Sequence, residues 1–193
     1  MSLANKLSLF RILLVPAFVV CLLYYRPGES DFFRYLALAL FLIAVLTDAV
    51  DGYVARVGKQ ATRLGAILDP LADKLLLVSG FICLSAIPTL PASLKIPAWV
   101  PILVLSRDGI LVFGWLLVFL LTGDSQAQPQ PSKLGKMTTF FQMFTIVSVL
   151  LNWPFARAIL WTAMVFTVLS GIGYLRRGNR LLNFVGGNNL SKS

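Results

Sequence analysis

The chain has 193 residues, 58% of them hydrophobic and only 13% charged, and a mean hydropathy of +0.81. A soluble domain of this length needs far more polar surface, so the composition excludes that class and implies an all-α, polytopic membrane protein. The chain contains no histidine, which excludes His-dependent catalysis, haem ligation and His-based zinc sites and leaves Asp, Glu, Lys, Tyr or Cys as bases.

Six apolar stretches follow one another along the chain, each long enough, or nearly so, to cross a hydrocarbon core of about 30 Å. The first covers Leu7–Tyr25. It lacks a small-x-small cleavage site, so it is expected to belong to the fold rather than to a signal peptide. Asn5 and Ser8 at its start are read equally as helix-capping residues or as parts of a site. A turn-rich loop, Arg26–Asp31, leads to the second stretch, Phe32–Ala55, and a short basic connection leads to the third, Ala66–Ile87. The loop Pro88–Pro97 precedes the fourth, Ala98–Thr122. The polar, Pro- and Gln-rich segment Gly123–Ser132 separates it from the fifth, Met137–Trp153. Asn152-Trp153-Pro154 reads as a tight turn into the sixth, Phe155–Leu175. The tail from Arg176 to Ser193, with Gly186-Gly187-Asn188-Asn189, is expected to be frayed. Residues 1–193 read as one domain. Cys21 and Cys83 fall inside apolar stretches without metal-ligand spacing and read as inert packing residues.

The formal net charge of +9 is distributed by topology. With both ends on the cytoplasmic side, that side carries eleven cations (Lys6, Arg11, Arg56, Lys59, Arg63, Lys133, Lys136, Arg176, Arg177, Arg180 and Lys192) and the far side four (Arg26, Arg34, Lys95 and Arg157). That bias sets the expected orientation in a cell inner or plasma membrane. It also assigns the basic excess to topology and anionic headgroups rather than to nucleic acid.

Four of the eight acidic residues fall in one stretch, Asp48-x2-Asp51-Gly52-x2-Ala55-Arg56-x8-Gly65-x3-Asp69-x3-Asp73. Carboxylates inside a membrane helix cost roughly 2.5–3.5 kcal/mol each by insertion scales, so four together require positive charge among them. Asp48 and Asp51 are three apart at the end of the second stretch, and Asp69 and Asp73 four apart at the start of the third. Each spacing puts both members of the pair on one helix face. A short connection makes the two helices antiparallel neighbours, so the pairs can meet. Oxygen-only ligation suits a hard ion, Mg²⁺ or Mn²⁺, and two pairs could hold two ions. Gly52, Ala55 and Gly65 lie one turn from these aspartates and leave a slot beside the metal, while Arg56 suits a phosphate. Metal, slot and cation together describe a site for a diphosphate-containing substrate. The competing readings are interhelical ion pairs with Arg56, Arg63 and Lys74, or a cation or proton route through a non-enzymatic carrier.

This stretch matches at every fixed position the signature of the CDP-alcohol phosphotransferases, and the resemblance covers nearly the whole chain. Asn5-x-Leu7-Ser8-x2-Arg11 with Pro16, the run Gly65-Ala66-x-Leu68-Asp69-Pro70-Leu71-Ala72-Asp73-Lys74, and Lys136-x2-Thr139-x2-Gln142 resemble two subfamilies. These are the bacterial phosphatidylglycerophosphate synthases and the eukaryotic-type cardiolipin synthases. The resemblance implies a six-span homodimer with a cytoplasmic site, in which Asp48, Asp51, Asp69 and Asp73 ligand the metal. It implies that Gly52, Ala55, Arg56 and Gly65 line the cytidine diphosphate pocket and that Asp73 takes the acceptor's proton. It gives Lys136, Thr139 and Arg107 to an acceptor phosphate, although Arg107 and Asp108 read equally as structural charges. Because residues at i and i+1 do not face each other on a helix, each of these two is expected to seek a partner on another helix. Lys133 reads as a topology charge.

The reaction so implied joins the phosphatidyl group of CDP-diacylglycerol to glycerol 3-phosphate and releases CMP. Phosphatidylglycerol is the alternative acceptor, giving cardiolipin. Ser106-Arg107-Asp108 is like the cardiolipin synthases, where the phosphatidylglycerophosphate synthases usually carry Arg-Glu. The short length and Gly135-Lys136…Thr138-Thr139…Gln142 look more like the glycerophosphate enzymes.

Overall fold

The computed structural model describes the backbone of residues 3–26, 28, 30–58, 65–122 and 133–190, and their side chains except at 3–8, 49–58, 65–71, 73, 113–122 and 177–190. Within this range the chain is all-helical: α1 (Leu3–Tyr24), α2 (Phe32–Gly58), α3 (Gly65–Ala86), α4 (Trp99–Thr122), α5 (Lys133–Leu150) and α6 (Ala156–Leu190). Each covers most of one of the six apolar stretches. The loop expected over Gly123–Ser132 lies outside the described residues.

α1 packs against α2 and α3, and a second group forms where α6 covers α5 and α4; α2 and α3 both touch α5. The core of the first group is aromatic and aliphatic, with Phe18, Leu22, Phe41, Leu76, Leu77, Phe81 and Leu84 all at or near zero exposure. Phe18 and Phe41 meet across the α1–α2 seam with ring centroids 5.7 Å apart. Gly80 brings α3 close to α5, since a Cβ there would stand 2.8 Å from Ile146 Cδ1 and 3.6 Å from Phe18 Cε1.

The α1–α2 turn is closed by polar contacts. Asp31 accepts from the Tyr25 hydroxyl at 3.1 Å and from the Arg34 guanidinium at 2.9 Å, and Ser30 Oγ accepts from the Phe32 N–H at 3.0 Å. The loop after α3 folds back on the bundle: Ile96 N–H donates to Leu84 O at 3.0 Å, and Leu90, Leu94 and Ile96 are buried.

The α5–α6 seam is built differently, from hydroxyls and one amide. Thr138, Gln142 and Thr145 recur at intervals of four and three on the buried face of α5. Thr138 Oγ1 lies 2.8 Å from Leu134 O and 3.0 Å from Phe166 O. Gln142 Nε2 donates to Thr167 Oγ1 at 3.1 Å. Phe141 and Phe166 stack with centroids 5.0 Å apart. Most of these hydroxyls bond back to the carbonyl one turn earlier, which hides their polarity and lets the two helices approach.

α5 ends in a Schellman turn. Asn152 adopts φ +53°, Trp153 N–H donates to Ser148 O at 2.9 Å, and Asn152 N–H donates to Val149 O at 2.8 Å. Pro154 then prevents the helix from continuing, so the expected tight turn is present, although the helix itself stops at Leu150.

α6 departs from expectation. It runs as helix through Leu190, past Arg176, where the sequence suggested a frayed tail. Leu181, Leu182, Phe184 and Val185 continue an apolar, helix-compatible pattern across Gly186-Gly187. Among the described residues one helical stretch, Ala156–Arg176 of α6, is long and apolar enough by itself to cross a membrane, and Leu9–Tyr24 and Lys74–Ala86 form shorter apolar helices.

Candidate functional site

The signature spans the end of α2 and the start of α3. Asp48, Asp51, Gly52, Ala55 and Arg56 are helical positions of α2, and Gly65, Asp69 and Asp73 helical positions of α3. Both helices are continuous through these residues, so the spacings of three and four put each aspartate pair on one face of its helix. α2 and α3 pack against each other. The side chains of Asp51, Gly52, Ala55, Arg56, Gly65, Asp69 and Asp73 lie outside the described residues. Lys59 and Arg63, in the connection, lie outside them as well, and so do the side chains of Asn5 and Ser8.

Asp48 is described, and it has a partner that sequence reasoning did not assign. Arg11 Nη1 of α1 stands 3.0 Å from Asp48 Oδ1, with the Arg11 side chain at 0% exposure and that of Asp48 at 36%. The available signal was the position of Arg11 within the apolar run of α1. A charge in such surroundings calls for a counter-charge, and counting Arg11 as a topology cation passed over that demand.

A second polar cluster ties α3, α4 and α6 at Lys74, the residue after the last signature aspartate. Lys74 Nζ stands 2.5 Å from Asp108 Oδ2, and Arg107 Nη1 stands 2.7 Å from Asp108 Oδ1. Arg107 Nη2 donates to Ser170 Oγ at 3.0 Å, and its guanidinium lies 5.6 Å from the centre of the Tyr174 ring. The expectation that Arg107 and Asp108 would each look to another helix holds for one contact of each. The expectation that they would not meet is corrected. The long arginine stem folds along the helix, so its head reaches the carboxylate of the next residue although the Cβ atoms diverge. Of the cations considered as partners for the signature aspartates, Lys74 pairs with Asp108. Arg107 is 5% exposed and its Nε is buried without a hydrogen-bond partner.

At the start of α5, Lys133 and Lys136 are exposed, while Thr139 is half-buried and donates to Gly135 O at 3.2 Å. Gln142, the last residue of the Lys-x2-Thr-x2-Gln pattern, points into the α5–α6 seam and is fully buried. It belongs to the packing of that seam. Thus Arg11 and Asp48 are brought together, and so are Lys74, Asp108 and Arg107, whereas Gln142 is turned away from its pattern neighbour Lys136.

An open groove of about 330 Å³ between α2 and α5 is lined only by apolar side chains, among them Phe41, Val45, Phe140 and Phe144. Val45 is one turn before Asp48 and Phe140 one turn after Lys136, so the groove adjoins both polar positions along their helices.

Residues 1–169 match the family model of CDP-alcohol phosphatidyltransferase. The chain is 38% identical to the CDP-diacylglycerol--glycerol-3-phosphate 3-phosphatidyltransferase of Bacillus subtilis, over 91% of this chain and 94% of that protein. It is 37% identical to a probable phosphatidylglycerophosphate synthase of Mycobacterium tuberculosis, over 93% and 82% respectively. A Haemophilus influenzae protein with the same name as the Bacillus one is 33% identical over 88% and 89%. With the signature unbroken on two packed helices and likeness running almost end to end, this chain belongs to the CDP-alcohol phosphatidyltransferase family.

Proposed function

We infer that this chain transfers the phosphatidyl group of CDP-diacylglycerol to the hydroxyl of glycerol 3-phosphate, giving phosphatidylglycerol phosphate and CMP. One observation carries the reading: relatives with that activity in their names align over about nine-tenths of the chain. In the stretch that suggested phosphatidylglycerol as acceptor, Arg107 and Asp108 are engaged in helix pairing and Ser106 bonds back within α4; no observation favours the second acceptor or an ion carrier.

All four signature acids are carboxylates on two packed helices, and this oxygen-only donor set fits a hard divalent cation. Asp48, Asp51, Asp69 and Asp73 would hold Mg²⁺ or Mn²⁺, which when bound neutralises the diphosphate and stabilises CMP as the leaving group. Gly52, Ala55 and Gly65, small by residue type, would leave room for the cytidine diphosphate, and Arg56 would supply a cation for its charge. Asp73 takes the proton of the glycerol 3-phosphate hydroxyl as that oxygen attacks the β-phosphorus and the bond to the CMP oxygen breaks. Exposed Lys136, with Thr139, holds the acceptor phosphate. Arg107 would join them only by giving up Asp108 or Ser170. The apolar groove between α2 and α5 would seat an acyl chain of the lipid substrate.

The six helices are read as six membrane spans with both ends and the site on the cytoplasmic side of a cell inner or plasma membrane, in a homodimer. Helices of 18 to 35 residues reach about 27 Å or more at 1.5 Å per residue. Their outer faces carry large exposed apolar residues such as Leu13, Leu46, Ile102 and Trp161, and lipid would cover these. With Arg11 set aside as the buried partner of Asp48, ten cations against four still support the orientation.

The reading is tested by supplying purified protein with CDP-diacylglycerol and, in turn, glycerol 3-phosphate, phosphatidylglycerol, inositol phosphate or serine, and identifying lipids by mass spectrometry. Phosphatidylglycerol phosphate from the first acceptor alone is expected. A product from phosphatidylglycerol alone would replace this reading with cardiolipin synthesis.

A further inference from the structure

Arg11 lies outside the signature, and the chemistry above does not use it. An arginine serving only as a topology charge near a helix end extends toward the headgroups, where its head stays hydrated. Arg11 does the reverse. Its side chain is at 0% exposure, turned into the bundle, with Nη1 3.0 Å from Oδ1 of the first signature aspartate. Among the described residues the other buried arginines, Arg34 and Arg107, pair with Asp31 and Asp108, which stand outside the signature. Arg11 alone among these three holds one of its carboxylates.

We propose that Arg11 is a positioning residue that fixes the direction of the Asp48 carboxylate before a divalent cation is bound. The proposal rests on Asp48 being a metal ligand. Carboxylates that ligate metals are themselves held by hydrogen bonds, and losing such a partner weakens metal affinity by about 10- to 100-fold. Arginine suits the task because its fork is planar and stays charged at every relevant pH. Its charge also repels the incoming cation, so orientation and repulsion predict opposite signs. If repulsion dominated, removing Arg11 would tighten metal binding; the proposal requires that it weaken.

The test titrates the full-length protein in detergent with Mn²⁺ alone and follows the free-ion signal by electron paramagnetic resonance. Wild type is compared with Arg11→Gln, Arg11→Lys and Asp48→Asn, each checked for monodispersity. The expected result is a dissociation constant raised about 10- to 100-fold in Arg11→Gln, with Arg11→Lys between it and wild type because charge is kept and the fork is lost. A role confined to packing would lower the unfolding temperature without moving the Mn²⁺ affinity of the folded protein. Should Arg11→Gln not yield folded protein, Arg11→Lys decides by the same measure. Unchanged or tighter Mn²⁺ binding in the Arg11 variants, with binding weakened in Asp48→Asn, overturns the role of Arg11 alone. Unchanged binding in Asp48→Asn as well overturns the ligand role of Asp48, and the proposal falls with it.

Discussion

Lys74 of α3 and Asp108 of α4 form an ion pair at 2.5 Å, and Lys74 is the residue directly after the last signature aspartate, Asp73. Through the second oxygen of Asp108 the link continues to Arg107, and from Arg107 to Ser170 of α6. The signature-bearing α3 is thereby tied, directly after its last signature position, to two other helices by groups that are mostly buried.

Removing Asp108 leaves Arg107 charged and buried without its carboxylate. Asp108→Ala is expected to destabilise the protein by about 3 kcal/mol, the lower end for breaking a buried pair, because Lys74 keeps 37% exposure and can rehydrate. Asp108→Asn, which still accepts hydrogen bonds, is expected to lose less. Thermal unfolding in detergent, followed by tryptophan fluorescence, gives the ranking.

Lys133 and Lys136 stand one turn apart and are both exposed, yet different outcomes are expected. Lys136→Gln should raise KM for glycerol 3-phosphate by about tenfold, the size of one charge-assisted hydrogen bond, with little change in kcat. Lys133→Gln should leave both near wild type. Steady-state kinetics on the pair checks the assignment.

The close approach at Gly80 predicts a coupled pair. Gly80→Ala places a methyl 2.8 Å from Ile146 Cδ1 and is expected to cost about 1–3 kcal/mol as overpacking. Ile146→Val removes the obstructing carbon. Alone it costs about 0.5–1.5 kcal/mol, but in the Gly80→Ala background it is expected to cost nothing or restore stability. A double-mutant cycle on unfolding free energies measures the coupling.

Asn152 closes α5 at φ +53°. Asn152→Gly is expected to be neutral or slightly stabilising, since glycine adopts this conformation freely. Asn152→Ala should cost about 1 kcal/mol. Unfolding midpoints of the two variants separate a conformational effect from a loss of side-chain bonds, because both remove the amide.

The helices and the signature were legible because each is written locally. Apolar runs set the six helices, Asn152 and Pro154 marked a turn, and aspartates three and four apart announced their own faces. What escaped was written across the chain. Nothing near Arg11 names Asp48 as its partner 37 positions away, and only the α1–α2 packing brings them together. Adjacency misled at Arg107 and Asp108, where side-chain length overcame diverging Cβ directions. The Lys-x2-Thr-x2-Gln pattern read as one unit, but helix geometry turns Gln142 into the α6 seam while Lys136 stays exposed. The helical run beyond Arg176 escaped because its glycines and asparagines read as breakers.

The most direct test of the account is CMP release from CDP-diacylglycerol and glycerol 3-phosphate by purified protein, with and without Mg²⁺ or Mn²⁺, in wild type and Asp73→Asn. The account predicts release in wild type that stops on chelation and returns on adding either ion, and almost none from Asp73→Asn at equal amounts of folded protein. CMP release that persists in Asp73→Asn, or proceeds unchanged under chelation, would contradict it.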